Sequence, residues 1–385
     1  MIPMQQNFDL DYVIGDEAVV AAMPQQPAFP VFSEEVCQFL QAVSQRLLKD
    51  SAAKTYPDVV TFAFWCRKSS VQQMAKAYAS TKVRLGRGIV FHIAPSNVAV
   101  NFAYSFVSAL LAGNASIVRV PSKKFAQVDL ICGAMRDVLQ ADFPAMQAYI
   151  CMVRYGHEPA INAYFSQLCD TRVIWGGNRT IQEIRQALLK PRANEITFAD
   201  RFSLAVIQAE DYLAAEDKDR IAQEFYNDTY LTDQNACTSP RIVIWLGEAV
   251  TAAQQEFWDR LHLLAKKEYK LPAVRAVDKL TGIYLLGANH SAYQTTMPDI
   301  LITRIQVKDL QEDMMKYQGN SGFFMEYQAK NITDIYPICT ESCQTVSYYG
   351  HVYEAIRDFV LSQCPRGIDR IVPMGHTMDF SLIWD

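Results

Sequence analysis

The stretch GIVFHIAPSNVAVNFAYSFVSALLAGNASIVRV, Gly88–Val120, decides how this chain is read. It opens on a short apolar run, Gly88–Ile93, of the kind a buried strand shows. Ala94-Pro-Ser-Asn97 supplies turn and cap residues, and Val98–Ala112 reads as a buried helix that Gly113-Asn114 stops. Ala115–Val120 is a second strand, so the order strand, helix, strand predicts a parallel βαβ unit. The alternation continues outward. Helices are expected over Phe125–Leu139, Pro159–Gln167 and Thr180–Leu189, and strands over Ala148–Val153, Arg172–Trp175 and Leu204–Ile207, with a turn at Gly176-Gly177. Residues 83–207 thus read as an alternating β/α block, and a nucleotide site at the carboxyl ends of its strands is the default expectation. After Ala209 the pattern resets into a helix over Ala214–Tyr226, a polar loop over Thr229–Ser239 and a strand over Arg241–Leu246. Ahead of the block, the first 80 residues read as helical surface, with Phe32–Leu48 at helical spacing and Ser33-Glu34-Glu35 as its start.

At 385 residues the chain has room for two to three domains. Its 36 Lys and Arg against 41 Asp and Glu give a net charge of −5, which argues against a general nucleic-acid surface or a polybasic membrane anchor. Met1–Val20 carries Asp9, Asp11, Asp16 and Glu17 and no Lys or Arg, unlike a signal peptide. The cleanest apolar run, Val98–Ala112, has 15 residues, short of the roughly 20 that span a bilayer. Nine cysteines, an odd number without an export signal, point to reduced thiols in the cytoplasm. Several motifs are missing. Gly86-Arg-Gly88 is not followed by a third glycine at Phe91, no Walker A sequence occurs, and Gly319-Asn-Ser-Gly322 is not a nucleophile elbow. His157-Glu158 lacks a second histidine, and Cys339 and Cys343 lack partners at ligand spacing, so no metal site is expected.

Among the cysteines, Cys37, Cys66, Cys132, Cys151 and Cys169 sit within apolar helix or strand patterns, where a thiol is an inert small hydrophobe. Cys237 differs. It lies in the polar loop Leu231-Thr-Asp-Gln-Asn-Ala-Cys-Thr-Ser-Pro-Arg241, among small neighbours that let a substrate approach. Backbone amides there, and Arg241, are candidate donors to a thiolate. Cys237 is therefore the candidate nucleophile, against the plain alternative of an ordinary loop cysteine.

Several blocks together resemble the acyl-CoA reductase family, whose best-known member is the reductase subunit of the fatty acid reductase complex of luminous bacteria. They are GIVFHIAPSN (88–97), NFAYS (101–105), GNASIVRVPSK (113–123), VIWGG (173–177), EITFADR (195–201), FYNDTYLTDQNACTSPR (225–241) and GIDRIVPMG (367–375). The family is a branch of the aldehyde dehydrogenase superfamily. The resemblance implies an α/β fold of two α/β domains, a Rossmann-like cofactor domain over 1–200 and a catalytic domain over 201–355, with the site in the cleft between them. A C-terminal segment, 356–385, is expected to pack back on the cofactor domain. The chain ends ten residues past Gly375, where many relatives carry a long oligomerising tail, so a homodimer is expected.

The same resemblance implies roles for individual residues. Cys237 matches the cysteine that takes the acyl group as a thioester. Asn97, in Pro95-Ser-Asn97, would donate its amide to the oxyanion; its alternative is to cap the following helix. Arg119 stands where relatives contact the adenosine ribose. Pro121, Ser122 and Lys123 follow it without the carboxylate that grips a ribose diol, which implies NADPH. Gly176 and Gly177 lie at the pyrophosphate turn, where a helix N-terminus stabilises phosphate charge. Glu195 lies near the superfamily's general base, against the alternative of a structural carboxylate. No residue between 320 and 345 matches the glutamate that usually holds the nicotinamide ribose. The implied activity is NADPH-dependent reduction of a fatty acyl thioester, given up by acyl-CoA or by an acylated partner protein of the acyl-protein synthetase type. Rival readings are a cysteine acyltransferase or thioesterase without a cofactor, an aldehyde-oxidising dehydrogenase, and a scaffold subunit.

Overall fold

The computed structural model describes residues 8, 10–95, 98–290, 293–380 and 382. The chain divides into two compact units, Met1–Ala199 and Asp200–Asp385. In the first, strands β1 (Asp11–Ile14), β2 (Ile89–Ile93), β3 (Ala115–Arg119), β4 (Ile150–Arg154), β5 (Thr171–Trp175) and β6 (Asn194–Phe198) form one sheet in the order β1-β4-β3-β2-β5-β6. Every pairing is parallel except β1 with β4. β2 is buried along its whole length, and β3 is buried up to Arg119, which is why both read as continuous apolar runs. The chain runs from β2 outward to β3 and β4, then returns to β5 on the other side of β2. That reversal is a topological switch point, where open α/β sheets bind ligands.

The helix behind β2, Asn101–Leu111, buries Phe102, Phe106, Leu110 and Leu111. It stops because Gly113 takes a φ of +87°, and a Cβ there would lie 2.1 Å from the Phe29 carbonyl oxygen. Asn114 then ties the start of β2 to that of β3: its Oδ1 accepts from the backbone N–H of Arg87 at 2.6 Å. The N-terminal region is more than helical surface. The helix Glu34–Lys49 buries Val36, Phe39, Leu40, Val43 and Leu47 as a packed layer. The edge strand β1, half-exposed and only four residues long, lacks the pattern that would have marked it.

The second unit is built on β7 (Phe202–Gln208), β8 (Pro240–Leu246), β9 (Tyr293–Thr296), β10 (Thr303–Val307), β11 (Phe323–Gln328), β12 (Cys343–Tyr349) and β13 (Arg370–Pro373), in the order β13-β12-β7-β8-β11-β10-β9. Only β9 runs antiparallel to its neighbour. Leu204, Val206, Ile242 and Ile244 pack on one face, and Ala205, Ile207, Val243 and Trp245 on the other. The helix expected over Ala214–Tyr226 begins later, at Lys218, and runs to Thr229, and a separate short helix, Ala209–Ala214, precedes it. Between them Asp217 caps the second, its carboxylate accepting from Arg220 N at 3.0 Å. The chain from Tyr353 to Pro373 is built into this same unit: the helix Tyr353–Gln363 buries Ile356 and Phe359, and β13 adds a parallel edge to β12.

Among the described residues, no helix is long and apolar enough to cross a membrane, and no group of His, Cys, Asp and Glu could hold a metal ion. All nine cysteines are free thiols.

Candidate active site

The carboxyl edge of the first sheet gathers the residues expected to hold a cofactor. Ile93, at the end of β2, lies level with Arg119 of β3 and Ile174 of β5. Half-buried Pro95 follows β2, Pro121-Ser122-Lys123 follows β3, and Gly176-Gly177 follows β5. Asn97, with Ser96, lies outside the described residues. The helix expected from Val98 begins at Asn101, with Val100 as its N-cap.

The two cations of this edge are placed differently. Arg119 is turned onto the loop after β4, its Nη2 donating to the Gly156 carbonyl at 2.7 Å and its guanidinium 4.7 Å above the Tyr155 ring. Lys123 is exposed, 5.0 Å from the centre of the Phe125 ring, and no acidic side chain pairs with it among the described residues. Gly177 is the N-cap of the short helix Asn178–Ile184. At Gly176 a Cβ would press on Thr180 at 3.2 Å, so the turn keeps a bare backbone.

One brace at this edge was not legible in the sequence. Trp175 stacks on Phe198 with ring centres 3.6 Å apart, and its indole N–H donates to Ser105 Oγ at 3.0 Å. Ser105 Oγ lies 2.8 Å from His92 Nδ1. Burial pushes His92 down to about 3, so the ring is neutral. The Ser105–His92 spacing is that of a nucleophile and its base. Both residues are buried, however, and the second ring nitrogen faces Ser116 rather than a carboxylate, so the pair locks the indole in place.

Glu195, on β6, is clamped. Its Oε2 accepts from Arg172 Nε at 2.9 Å and its Oε1 from Arg185 Nε at 2.7 Å. Arg172 is itself buried and donates onward to Ser166 Oγ and to the Ala187 carbonyl. With both oxygens accepting from guanidiniums, the carboxylate is poorly placed to take a proton from water, which favours its structural alternative.

In the second unit the loop that carries Cys237 is held from several sides. After the helix Lys218–Thr229, Asp233 and Gln234 take positive φ of 54° and 52°, reversing the chain toward β8. A left-handed glutamine is strained, and its amide offsets the cost. Gln234 is fully buried; its Oε1 accepts from the backbone N–H of Gly322 at 2.7 Å and of Phe323 at 3.1 Å. Its Nε2 donates to the carbonyls of Pro240 and Phe323. Ser203 Oγ, at the start of β7, donates to the Cys237 carbonyl at 2.8 Å and accepts from Thr345 N. Arg241 is buried, and its Nη1 donates to the Gly319 carbonyl and to Asn320 Oδ1. Burial pushes the Cys237 thiol up; its own and the Thr238 backbone N–H, with Arg201 and Arg241, oppose that shift.

Residues 23–280 match the family described as acyl-CoA reductase (LuxC). The chain belongs to this family. It is an oxidoreductase acting on acyl and aldehyde groups. No curated protein matches it. Solved structures share its fold at low identity. PnpE from Pseudomonas sp. WBC-3 is 14% identical with a TM-score of 0.64, over 94% of this chain and 82% of that one. An NAD-dependent benzaldehyde dehydrogenase from Corynebacterium glutamicum is 14% identical with a TM-score of 0.62, over 93% and 84%. Lactaldehyde dehydrogenase from Escherichia coli is 12% identical with a TM-score of 0.63, over 93% and 81%. The fold is that of the aldehyde dehydrogenases.

In this acyl-CoA reductase, three of the blocks that carried the resemblance meet around the loop that carries Cys237. Arg201, from the first, pairs with Asp369 of GIDRIVPMG. Asp228, from the block that holds Cys237, accepts from the backbone N–H of Gly375 at 2.7 Å and of Thr377 at 3.1 Å. Thr238 reaches Met378 Sδ at 3.5 Å. Between residues 320 and 345 the reductase has two glutamates. Glu341 is exposed. Glu326 is spent in the core, accepting from the indoles of Trp245 and Trp258 and from Gln254 and Arg304. Arg201, Ser203, Asp228 and Gln234 are therefore residues around the Cys237 loop that motif reading passed over. For Arg201, Asp228 and Gln234 the signal was their presence inside the quoted blocks, without any chemistry to distinguish them; Ser203 lies outside those blocks.

Proposed function

We propose that the chain reduces a fatty, long-chain acyl thioester to an aldehyde through an acyl-cysteine on Cys237, with NADPH as reductant. The observation that carries the reading is the setting of Cys237. It is a half-buried thiol just ahead of β8, in a loop held by Ser203 and Gln234, in a chain whose candidate base, Glu195, is clamped by arginines. Attack by the sulfur gives a tetrahedral oxyanion that the Asn97 amide and the Cys237 backbone N–H would stabilise, a contribution of about 3–4 kcal/mol in comparable sites. Collapse expels the donor's thiolate and leaves the acyl group on Cys237. Reduction needs no activated water, and hydrolysis would waste the thioester, so a clamped Glu195 suits the reaction.

The carboxyl edge of the first sheet fits a dinucleotide: it is the switch point, it presents a bare backbone at Gly176, and Lys123 has no carboxylate partner among the described residues. Pro95, Gly176 and Gly177 would line the cofactor, Pro121 and Ser122 would shape the adenosine end, and Lys123 would meet the 2′-phosphate. Arg119, committed to the loop after β4, would shape that end rather than pair with the phosphate. When bound, the nicotinamide supplies a hydride to the thioester carbonyl. Lys123→Glu should weaken NADPH binding about 10- to 100-fold and leave NADH nearly unchanged, by repulsion with the phosphate. Fluorescence titration with both cofactors measures this, and equal weakening of the two would refute the assignment.

The test of the whole reading is intact-mass spectrometry with a long-chain acyl-CoA and no cofactor. One acyl mass is expected on Cys237, and NADPH should remove it as aldehyde. Discharge to free acid without NADPH would make the protein a thioesterase. An adduct indifferent to NADPH would make it an acyltransferase. Aldehyde consumed faster than it forms would favour an oxidising dehydrogenase. No adduct from acyl-CoA or from an acylated protein donor would overturn the reading and leave a scaffold. We further place the protein in the cytoplasm as a homodimer; sedimentation at the mass of one 43.6 kDa chain would contradict the dimer.

A further inference from the structure

We infer that Gln234 is a positioning residue for acyl transfer, latching the loop that carries Cys237 onto the turn 319–323 and so fixing where the sulfur stands. The inference rests on the proposed role of Cys237 as nucleophile. Of the six non-glycine residues with positive φ among the described residues, three lie in two turns that meet here. Asp233 and Gln234, at 54° and 52°, make one turn; Ser321 at 62°, with Gly322 at 82°, makes the other. Ser321 N donates to the Asp233 carbonyl at 3.3 Å, which joins the two directly. Backbone strain of this kind persists only where the surroundings over-determine it, and it gathers at working sites. Glycine or asparagine would take the left-handed form at lower cost, so what a glutamine adds at 234 is its side chain.

That side chain is fully buried, and its two acceptor sites and two N–H groups are all engaged. Oε1 accepts from Gly322 N at 2.7 Å and Phe323 N at 3.1 Å, and Nε2 donates to the carbonyls of Pro240 at 3.1 Å and Phe323 at 3.3 Å. One residue on, Asn235 Oδ1 accepts from Asn320 Nδ2 at 2.7 Å. The turn is anchored in its own right. Buried Lys279, on the helix Ala273–Asn289, donates to the Ile300 carbonyl at 2.7 Å, the Leu301 carbonyl at 3.2 Å and the Gly322 carbonyl at 3.4 Å. Pro240, which accepts from the Gln234 amide, opens β8. The amide therefore closes the loop 234–240 across its two ends, and Cys237 stands at the midpoint. Acyl transfer needs the sulfur aligned with the acyl carbon as the oxyanion forms, and a misplacement of about 1 Å costs about 10²-fold.

The experiment compares single-turnover acylation of Cys237 by a long-chain acyl-CoA with alkylation of the same thiol by iodoacetamide, a small reagent that needs no oxyanion donors. Gln234→Gly removes the four bonds and relieves the left-handed strain, so it serves where Gln234→Ala does not fold. Both variants should slow maximal acylation about 10- to 100-fold, while half-saturation by acyl-CoA and the alkylation rate each stay within about twofold. Gln234→Glu keeps acceptors for Gly322 and Phe323 but sets a charge against two carbonyls. Burial raises that carboxyl, and on protonation it regains a donor, so its acylation rate relative to wild type should recover as pH falls. A wild-type acylation rate in Gln234→Gly would overturn the inference and leave Cys237 as nucleophile. So would a loss shared equally by alkylation, which marks a general structural role, or a loss confined to half-saturation, which marks binding. An equally low relative rate at every pH in Gln234→Glu would overturn it as well. No acyl adduct on the wild type would overturn the nucleophile reading and this inference with it.

Discussion

Cys237→Ala is expected to lower aldehyde formation by at least about 10⁴-fold and to leave no acyl adduct. The reason lies in the chain's supply of nucleophiles. Cys66, Cys132, Cys151, Cys169, Cys339 and Cys343 are buried, and the thiols of Cys66, Cys132 and Cys151 are raised to about 12 or beyond, chiefly by burial. Cys37 is raised by burial and by Glu34. Cys364 is exposed on the turn after the helix Tyr353–Gln363, with its Sγ against the Leu361 carbonyl. The fold should survive, because the loop is held by the Cys237 carbonyl, by Gln234 and by Asn320, and alanine keeps all three contacts. Steady-state turnover, with a melting curve as control, decides it. An alanine variant that retains more than about a hundredth of the activity would remove Cys237 from the mechanism.

Asn97→Ala is expected to slow acylation roughly 10²- to 10³-fold with cofactor affinity nearly intact. The amide would donate to the oxyanion only as negative charge develops, so its loss should fall on the acylation rate rather than on binding. The capping alternative makes a different forecast: a stability loss of about 1 kcal/mol with activity retained. The helix in question begins at Asn101 with Val100 at its N-cap, which weakens that alternative. Single-turnover acylation beside a denaturation curve separates the two. A normal acylation rate in a destabilised variant would return Asn97 to a structural role.

The β/α block was legible from the sequence because parallel strands covered on both faces cannot hide. β2, IVFHI, is buried at every position, and β3 at all but its last. The first half of the site was legible for the same reason. Once the strands are placed, the residues after Ile93, Arg119 and Trp175 must fall on one edge. β1 escaped notice because a short edge strand needs no apolar face of its own. The break between the helices Ala209–Ala214 and Lys218–Thr229 escaped because Asp217 reads equally well as a surface helix residue and as a cap.

By itself the sequence determined the kind of fold, the family, and the one cysteine set apart from the apolar pattern. These depend on local periodicity and on contiguous blocks. Only the tertiary structure decided what Glu195, Arg201, Ser203, Asp228, Gln234 and Arg241 do. The partners of five of them lie far off in the chain. Arg201 finds Asp369, Ser203 finds Cys237 and Thr345, Asp228 finds Gly375 and Thr377, Gln234 finds Gly322 and Phe323, and Arg241 finds Gly319 and Asn320. Glu195 is nearer to its arginines, but only the ladder that sets β5 beside β6 brings Arg172 opposite it. No local pattern encodes such pairings. They follow from strand register, which is set when distant segments bury their faces together, and a carboxylate or guanidinium takes its chemical role from the neighbours that register provides.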